Sequence, residues 1–302
     1  MSRARCAGID GALRLLIGGD GEIGAAAFRA LKAAGSPVAA TTRRPDRAGP
    51  ERPLLDLAAP LADWQPPAGT RSACVLAAVA RLADCAADPV RSAHINVTQT
   101  VALIERLIAR DIHVVFLSSN QVFDGSRAHV AAEAPACPVS TYGRQKAAAE
   151  ARLKELMAAG APLAILRLAK VVSPGMALIA GWIEALLAAK PIRAFADMTM
   201  APVPIDLVVA AIAALMADRR AGIFQLTGPR DVAYAEVGRF LARRLGAGAG
   251  LVAEGSAAEA GLPAGACPAH TTLDSSALGG LYGLEVPDAW DVIAGVDARL
   301  RR

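Results

Sequence analysis

A strand candidate, Leu13 to Ile17, runs straight into Gly18-Gly19-Asp20-Gly21-Glu22-Ile23-Gly24, and the following stretch from Ala25 to Ala34 reads as a helix. Few local structures accommodate that order. Glycines at 18, 21 and 24 permit a tight turn, let the backbone come close to a bound anion, and allow close contact between helix and strand. The helix N-terminus behind them favours negative charge. With a strand before and a helix after, the pattern is that of a dinucleotide pyrophosphate site. Gly18, Gly21 and Gly24 are therefore candidate cofactor-binding residues.

The alternation continues along the chain. Pro37 to Thr42, Cys74 to Ala78, His113 to Ser118 and Leu163 to Leu168 read as strands, and Pro89 to Ala109 and Tyr142 to Ala158 as helices. This rhythm predicts an α/β fold, a doubly wound parallel sheet of Rossmann type with helices on both faces. Past Ala169 it breaks into helices and irregular stretches with Pro191, Pro202, Pro204 and the run Gly246 to Gly250. The expected division is a nucleotide-binding domain over 1–168, completed by a return at about 203–230, and a smaller C-terminal lobe over most of 169–302. Such lobes cover the carboxyl ends of the strands, where ligands of open α/β sheets bind.

Composition removes several alternatives. Hydrophobic residues make up 54% of the chain, above the roughly 45–50% usual for globular domains, and mean hydropathy is +0.37. A spanning helix nevertheless needs roughly 20 apolar residues in a row. The best stretch, Met176 to Ala189, is broken by Glu184 and bounded by Pro174 and Lys190. No membrane span is expected, and Met1 to Ala12 lacks the pattern of a leader. The net charge of +4 is spread without a dense basic run, so nucleic acid is not an expected partner. Cys6, Cys74, Cys85, Cys137 and Cys267 have no paired spacing and are expected as reduced thiols of a cytoplasmic protein. The four histidines have no zinc-type spacing, and no metal is expected.

Two further motifs carry chemistry. The second strand ends in Thr41-Thr42-Arg43-Arg44 rather than in an acid. An acid there would bind ribose hydroxyls, whereas Arg43 and Arg44 suit the extra phosphate of NADP. Ser140-Thr141-Tyr142-Gly143-Arg144-Gln145-Lys146 places Tyr142 and Lys146 four apart at a helix start, on one face. A nearby ammonium lowers the pKa of a phenol, which then serves as a proton donor or acceptor.

These residues resemble the extended short-chain dehydrogenase/reductases, and within them the dTDP-4-dehydrorhamnose reductase group. The similarity runs almost the whole length: Gly18 to Gly24, Asp56-Leu57, Leu76-Ala77-Ala78, Asp88-Pro89 with Asn96 to Thr100, Leu117 to Gly125, Glu133 to Pro138, Tyr142 to Lys146 with Glu150, Arg167, Pro202 to Leu207, and Leu273-Asp274. The resemblance implies that Tyr142 protonates a sugar keto oxygen while NADPH delivers hydride. Lys146 would lower the tyrosine pKa and bind the nicotinamide ribose, and Ser119 would bind the same carbonyl. It further implies Gly21-Glu22-Ile23 at the pyrophosphate and Asp56 and Leu57 at the adenine. Ala77, Ala78 and Val79, with Ala80, would lie along the cofactor. A homodimer is expected on this analogy alone.

Departures bear on substrate. The reductases typically carry Thr-Asp-Tyr where this chain has Ser119-Asn120-Gln121, and the acidic segment after the third sheet strand is here Val79-Ala80-Arg81-Leu82-Ala83-Asp84. Lys170 stands near where those enzymes have a sugar-contacting tryptophan. Ser119, Asn120, Gln121 and Lys170 are candidate contacts for a nucleotide-sugar substrate, and Met198-Thr199-Met200 either lines that pocket or packs in the core. The leading expectation is an NADPH-dependent reductase of a nucleotide-linked 4-keto sugar. The alternatives are a nucleotide-sugar epimerase of the same fold and a non-catalytic cofactor-binding regulatory subunit resembling the methionine adenosyltransferase beta subunit.

Overall fold

The computed structural model describes residues 11–257, 259–262 and 265–300, the last four as helix backbone. Cys6, Arg302 and the residues before 11, on which the expectation of no leader falls, lie outside the described residues. The described residues open with β1 (Leu13–Ile17), α1 (Glu22–Ala33), β2 (Val38–Ala40) and β3 (Thr70–Val75). A helical run follows: α2 (Leu82–Ala87), α3 (Pro89–Ala93), a π-helical turn over His94–Gln99, and α4 (Thr100–Ile108). Then come β4 (His113–Ser119), α5 (Thr141–Ala158) and β5 (Leu163–Leu168). The rest comprises β6 (Val171–Val172), α6 (Ala177–Leu187), β7 (Ile192–Phe195), β8 (Thr199–Met200), β9 (Val203–Pro204), α7 (Ile205–Asp218), β10 (Gly222–Leu226), β11 (Val232–Ala233), α8 (Tyr234–Leu245), β12 (Val252–Gly255), α9 (Ser276–Tyr282) and α10 (Ala289–Leu300).

Six parallel strands form the central sheet in the order β10-β5-β4-β3-β1-β2. Strand side chains alternate between faces, and the apolar clusters follow that alternation. Leu16, Cys74, Val115 and Leu166 pack against Leu31 of α1 and Val208, Ile212 and Leu215 of α7. Leu15, Ile17, Val75, Phe116 and Ile165 pack on the other side against Leu103 and Leu107 of α4 and Leu153 of α5. Burying both faces explains the near-continuous apolar strands; each fully buried Leu or Ile contributes roughly 1.5–3 kcal/mol. The doubly wound α/β fold expected from sequence is the one observed. Chain order reverses between β1 and β3, which sets a crevice at their carboxyl ends.

A third cluster joins α6, α8 and α10 around Ile179, Trp182, Val237, Leu241 and Ile293, with the ring of Trp182 edge-on to Tyr234. Met200 is buried within it and Met198 packs against it. Of that segment Met200 takes the core-packing reading, while Met198 and Thr199 stay partly exposed.

The third sheet strand differs from expectation. It starts at Thr70, paired with Leu13, and ends at Val75 rather than Ala78. Leu76 and Ala77 both donate their N–H to Ile17 O, so the chain leaves the ladder there. Polar Thr70, Arg71 and Ser72 disguise its beginning, although Thr70 and Ser72 are buried. Cys74 and Cys85 are buried free thiols. No described helix is long and apolar enough to cross a membrane, and no acidic, Cys or His group among the described residues could hold a metal ion.

Candidate active site

The glycine turn has separate steric reasons at each position. Gly18 takes φ +103°, and a Cβ on it would stand 2.7 Å from Ala77 N. At Gly24 a Cβ would meet Gly18 O at 2.3 Å, so α1 leans directly on the turn. Gly21 has only Gly18 O, at 3.5 Å, within reach of such an atom. As N-cap of α1 it brings no side chain to the first-turn N–H groups, which suits them to an anion.

Beyond the turn lies a cleft of about 320 Å³. Gly18 and Gly21 form its floor, Arg43, Arg44, Asp56 and Leu57 one wall, and Ala77, Ala78 and Val79 the other. These nine of the expected cofactor residues meet at one place, at the carboxyl ends of β1, β2 and β3. Glu22, Ile23 and Gly24 are not on its surface: Ile23 packs against the sheet core and Gly24 against Gly18. Glu22 reaches across the molecule to accept a hydrogen bond from Ser173 Oγ. Lys170, exposed just after β5, lies in the field of that same carboxylate. Sequence reasoning did not single out Asp20, Thr41 or Ile95, which also line the cleft. Asp20 accepts from Thr42 Oγ1 at 2.8 Å and pairs with Arg52 at 3.4 Å, while Thr41 Oγ1 accepts from Gly18 N at 3.0 Å.

Ser119 ends β4, and Tyr142 and Lys146 lie on the first turns of α5, whose start is docked on the end of β4. Ser140 caps α5, accepting from Gly143 N at 2.9 Å and donating to Gln121 Oε1 at 3.0 Å. Gly143 presses so closely that a Cβ would stand 2.1 Å from Gln121 O. Gln121, expected at the substrate, thus has its side chain engaged in seating the helix. Ser119 Oγ accepts from Gln121 N at 3.2 Å and lies 3.3 Å from Asn120 Oδ1. Lys146 is buried; its Nζ donates to Leu117 O at 2.7 Å and sits 4.3 Å from the Phe116 ring centre and 5.9 Å from that of Tyr142.

The electrostatics differ from the expectation for the tyrosine. Burial pushes the Tyr142 phenol well above its ordinary range, and Cys85 pushes it the same way. Burial likewise brings Lys146 down to about 8, against the opposing influence of Glu150. In this arrangement the phenol holds its proton, as a donor must.

The π-helical turn ties this corner to the cleft. Asn96 brackets Val79, accepting from its N–H at 2.8 Å and donating to its carbonyl at 2.9 Å. It also donates to Gln145 Oε1 at 2.8 Å, and Gln145 donates to Ser92 Oγ at 2.8 Å. One buried amide pair thus connects the cleft wall at Val79 with the α5 turn that carries Tyr142 and Lys146.

A family model described as the RmlD substrate binding domain matches residues 14–295. No curated protein matches the chain in sequence. Among solved structures, a dTDP-4-dehydrorhamnose reductase from Clostridium acetobutylicum superposes with a TM-score of 0.81 at 18% identity, over 96% of this chain and 100% of that one. A dTDP-4-dehydrorhamnose reductase from Bacillus anthracis in complex with NADP gives 0.80 at 16% identity, over 97% and 100%. MoeE5 in complex with UDP-glucuronic acid and NAD gives 0.76 at 24% identity, over 96% and 99%.

Proposed function

The chain belongs to the RmlD substrate binding domain family, and from that premise we propose that it is an NADPH-dependent reductase of a nucleotide-linked 4-keto sugar. The observation that carries this reading is the placement of Ser119, Tyr142 and Lys146 where β4 meets α5, joined through Asn96 and Gln145 to the wall of a nucleotide-sized cleft.

The cleft fits the adenosine and pyrophosphate of a dinucleotide: bare backbone at Gly21, uncapped N–H groups on α1, and a cavity between Asp56-Leu57 and Ala77-Ala78. When bound, the nicotinamide supplies the hydride. Arg43 and Arg44, both exposed on the cleft wall, favour the 2′-phosphate of NADP over a free ribose hydroxyl. Ser119 Oγ donates to the keto oxygen and orients it, and Tyr142 delivers its proton to that oxygen as negative charge develops there. Lys146, a cation behind the phenol, stabilises the phenolate left by that transfer. We assign the lobe beyond β5 to the sugar nucleotide, with Asn120 and Lys170 as contact candidates.

The test is NADPH consumption with a panel of nucleotide 4-keto sugars. Tyr142→Phe is expected to reduce turnover by about 10²–10⁴-fold with cofactor affinity retained. Turnover that survives Tyr142→Phe would overturn the mechanism; cofactor binding with no turnover of any keto sugar would overturn the reductase reading in favour of a regulatory subunit.

A further inference from the structure

A second cavity, of about 410 Å³, opens beside the nucleotide cleft and shares Arg43, Ala78 and Val79 with it. Its outer wall comes from another part of the chain: Arg81, Asp84, Asp88 and Arg91, running through α2 into α3. Three guanidinium groups from two distant segments thus line one recess. All three are exposed, and none has a side-chain hydrogen bond or ion pair among the described residues. Some arginines elsewhere pair with a nearby carboxylate, Arg52 with Asp20, Arg152 with Glu105 and Arg219 with Asp111, although exposed Arg29, Arg71 and Arg127 share the unpaired state. Of the two carboxylates on the recess, Asp88 is engaged in capping α3, accepting from Arg91 N at 3.0 Å. Both carboxylates keep their charge, so the recess sets three cations against two anions, and Asp84 is the one without a capping task.

We propose that Arg81 and Arg91 close with Arg43 around the 2′-phosphate of NADP, so that the recess is a phosphate-monoester subsite of the nucleotide cleft. This rests on the NADPH reading given above. The shared wall carries the argument: a nucleotide in the main cleft can place an anion past Arg43 into the recess without leaving Ala78 and Val79. A phosphate monoester offers three acceptor oxygens, and guanidinium forks match them in pairs. Arg44 lines only the main cleft. Cofactor choice is therefore divided between the end of β2 and the helical run after β3, and Arg43→Ala alone leaves part of the preference in place.

The experiment is fluorescence titration of NADPH and NADH, at one fixed salt concentration, into the full chain, into Arg81→Ala combined with Arg91→Ala, and into Asp84→Asn. The double variant is expected to lose about 10–100-fold in NADPH affinity, the scale of one or two lost charged hydrogen bonds, with NADH affinity unchanged. Asp84→Asn is expected to tighten NADPH a few-fold. If the unaltered chain prefers NADPH and the double variant keeps the whole preference, the clamp is overturned while the NADPH reading stands. Equal loss for both nucleotides also overturns the clamp. Preference of the unaltered chain for NADH overturns both.

Discussion

Lys146 shows most clearly what the interior does to a single residue. Its ammonium is surrounded by Phe116, Leu117 O and the buried start of α5. With its pKa brought down to about 8 from 10.5, the folded state releases the proton more readily than the unfolded chain does. Between pH about 8 and about 10.5 the unfolded state therefore binds more protons, and stability rises with pH through that window; below it the full cost of burying the charge remains. Lys146→Met removes this cost. Urea unfolding at pH 7 is expected to show the variant more stable by up to about 3 kcal/mol, the advantage shrinking toward pH 10.5, while turnover is lost. The places of Ser119 at the end of β4 and of Tyr142 and Lys146 at the start of α5 were legible because their spacing is local. The partner of Glu22 was not: Ser173 is 151 positions away in sequence, and nothing about a glutamate after a glycine turn says which way it will face.

At the scale of elements, close approach rather than propensity positions the site. α5 is seated by Ser140, Gln121 and the bare face of Gly143. Gly143→Ala would force a methyl to within 2.1 Å of Gln121 O, so helix and turn must separate. Denaturant unfolding is expected to register a loss of about 1–3 kcal/mol, the usual cost of overpacking, and kinetics a larger fall in kcat than rise in KM, since Tyr142 moves relative to Ser119. Gly181→Ala is the control. It lies within α6 with nothing within 4 Å of the added methyl and is expected to stabilise by roughly 0.5–1 kcal/mol. Sequence pattern placed β1, α5 and β5 well, because their apolar or helix-forming runs are long. It placed helix over Pro89 to Ala109, which the structure has, but not the π turn within it, where Asn96 stands against Val79 and Gln145. It also missed the polar start of β3, which is buried by its neighbours on both sides.

At the scale of the molecule, Arg167 joins parts that sequence separates. Wholly buried on β5, it makes a two-pronged pair with Glu150 of α5 at 3.0 and 2.7 Å. It also donates to Ala132 O at 2.9 Å and to Gln225 of β10 at 3.1 Å, and stacks on Phe123. Arg167→Met leaves Glu150 without its two-pronged partner, with the half-exposed ammonium of Lys154 at 3.6 Å and the more remote Lys146 as its remaining cations. Urea unfolding is expected to show a loss of about 3–5 kcal/mol, much of it recovered when Glu150→Gln is added, because an unpaired buried charge costs more than a missing pair. The end of the regular strand–helix alternation after β5 was legible as a break in rhythm. The second cavity was not, since Arg81 and Arg91 look like any surface arginines until β2 brings Arg43 beside them.

The outer border of the sheet has a consequence for how such chains behave in company. β2 is three residues long, and beyond it the ladder dwindles to the single parallel bridge between Thr42 and Leu54. The segment that makes this bridge also brings Glu51 to Lys32 and sets Arg52 over the Phe28 ring. A stranger's strand arriving at this side finds a stub, a turn and a row of charges instead of a free run of amide groups. The charged segment that ends the sheet beside the cleft thereby also discourages edge-to-edge aggregation.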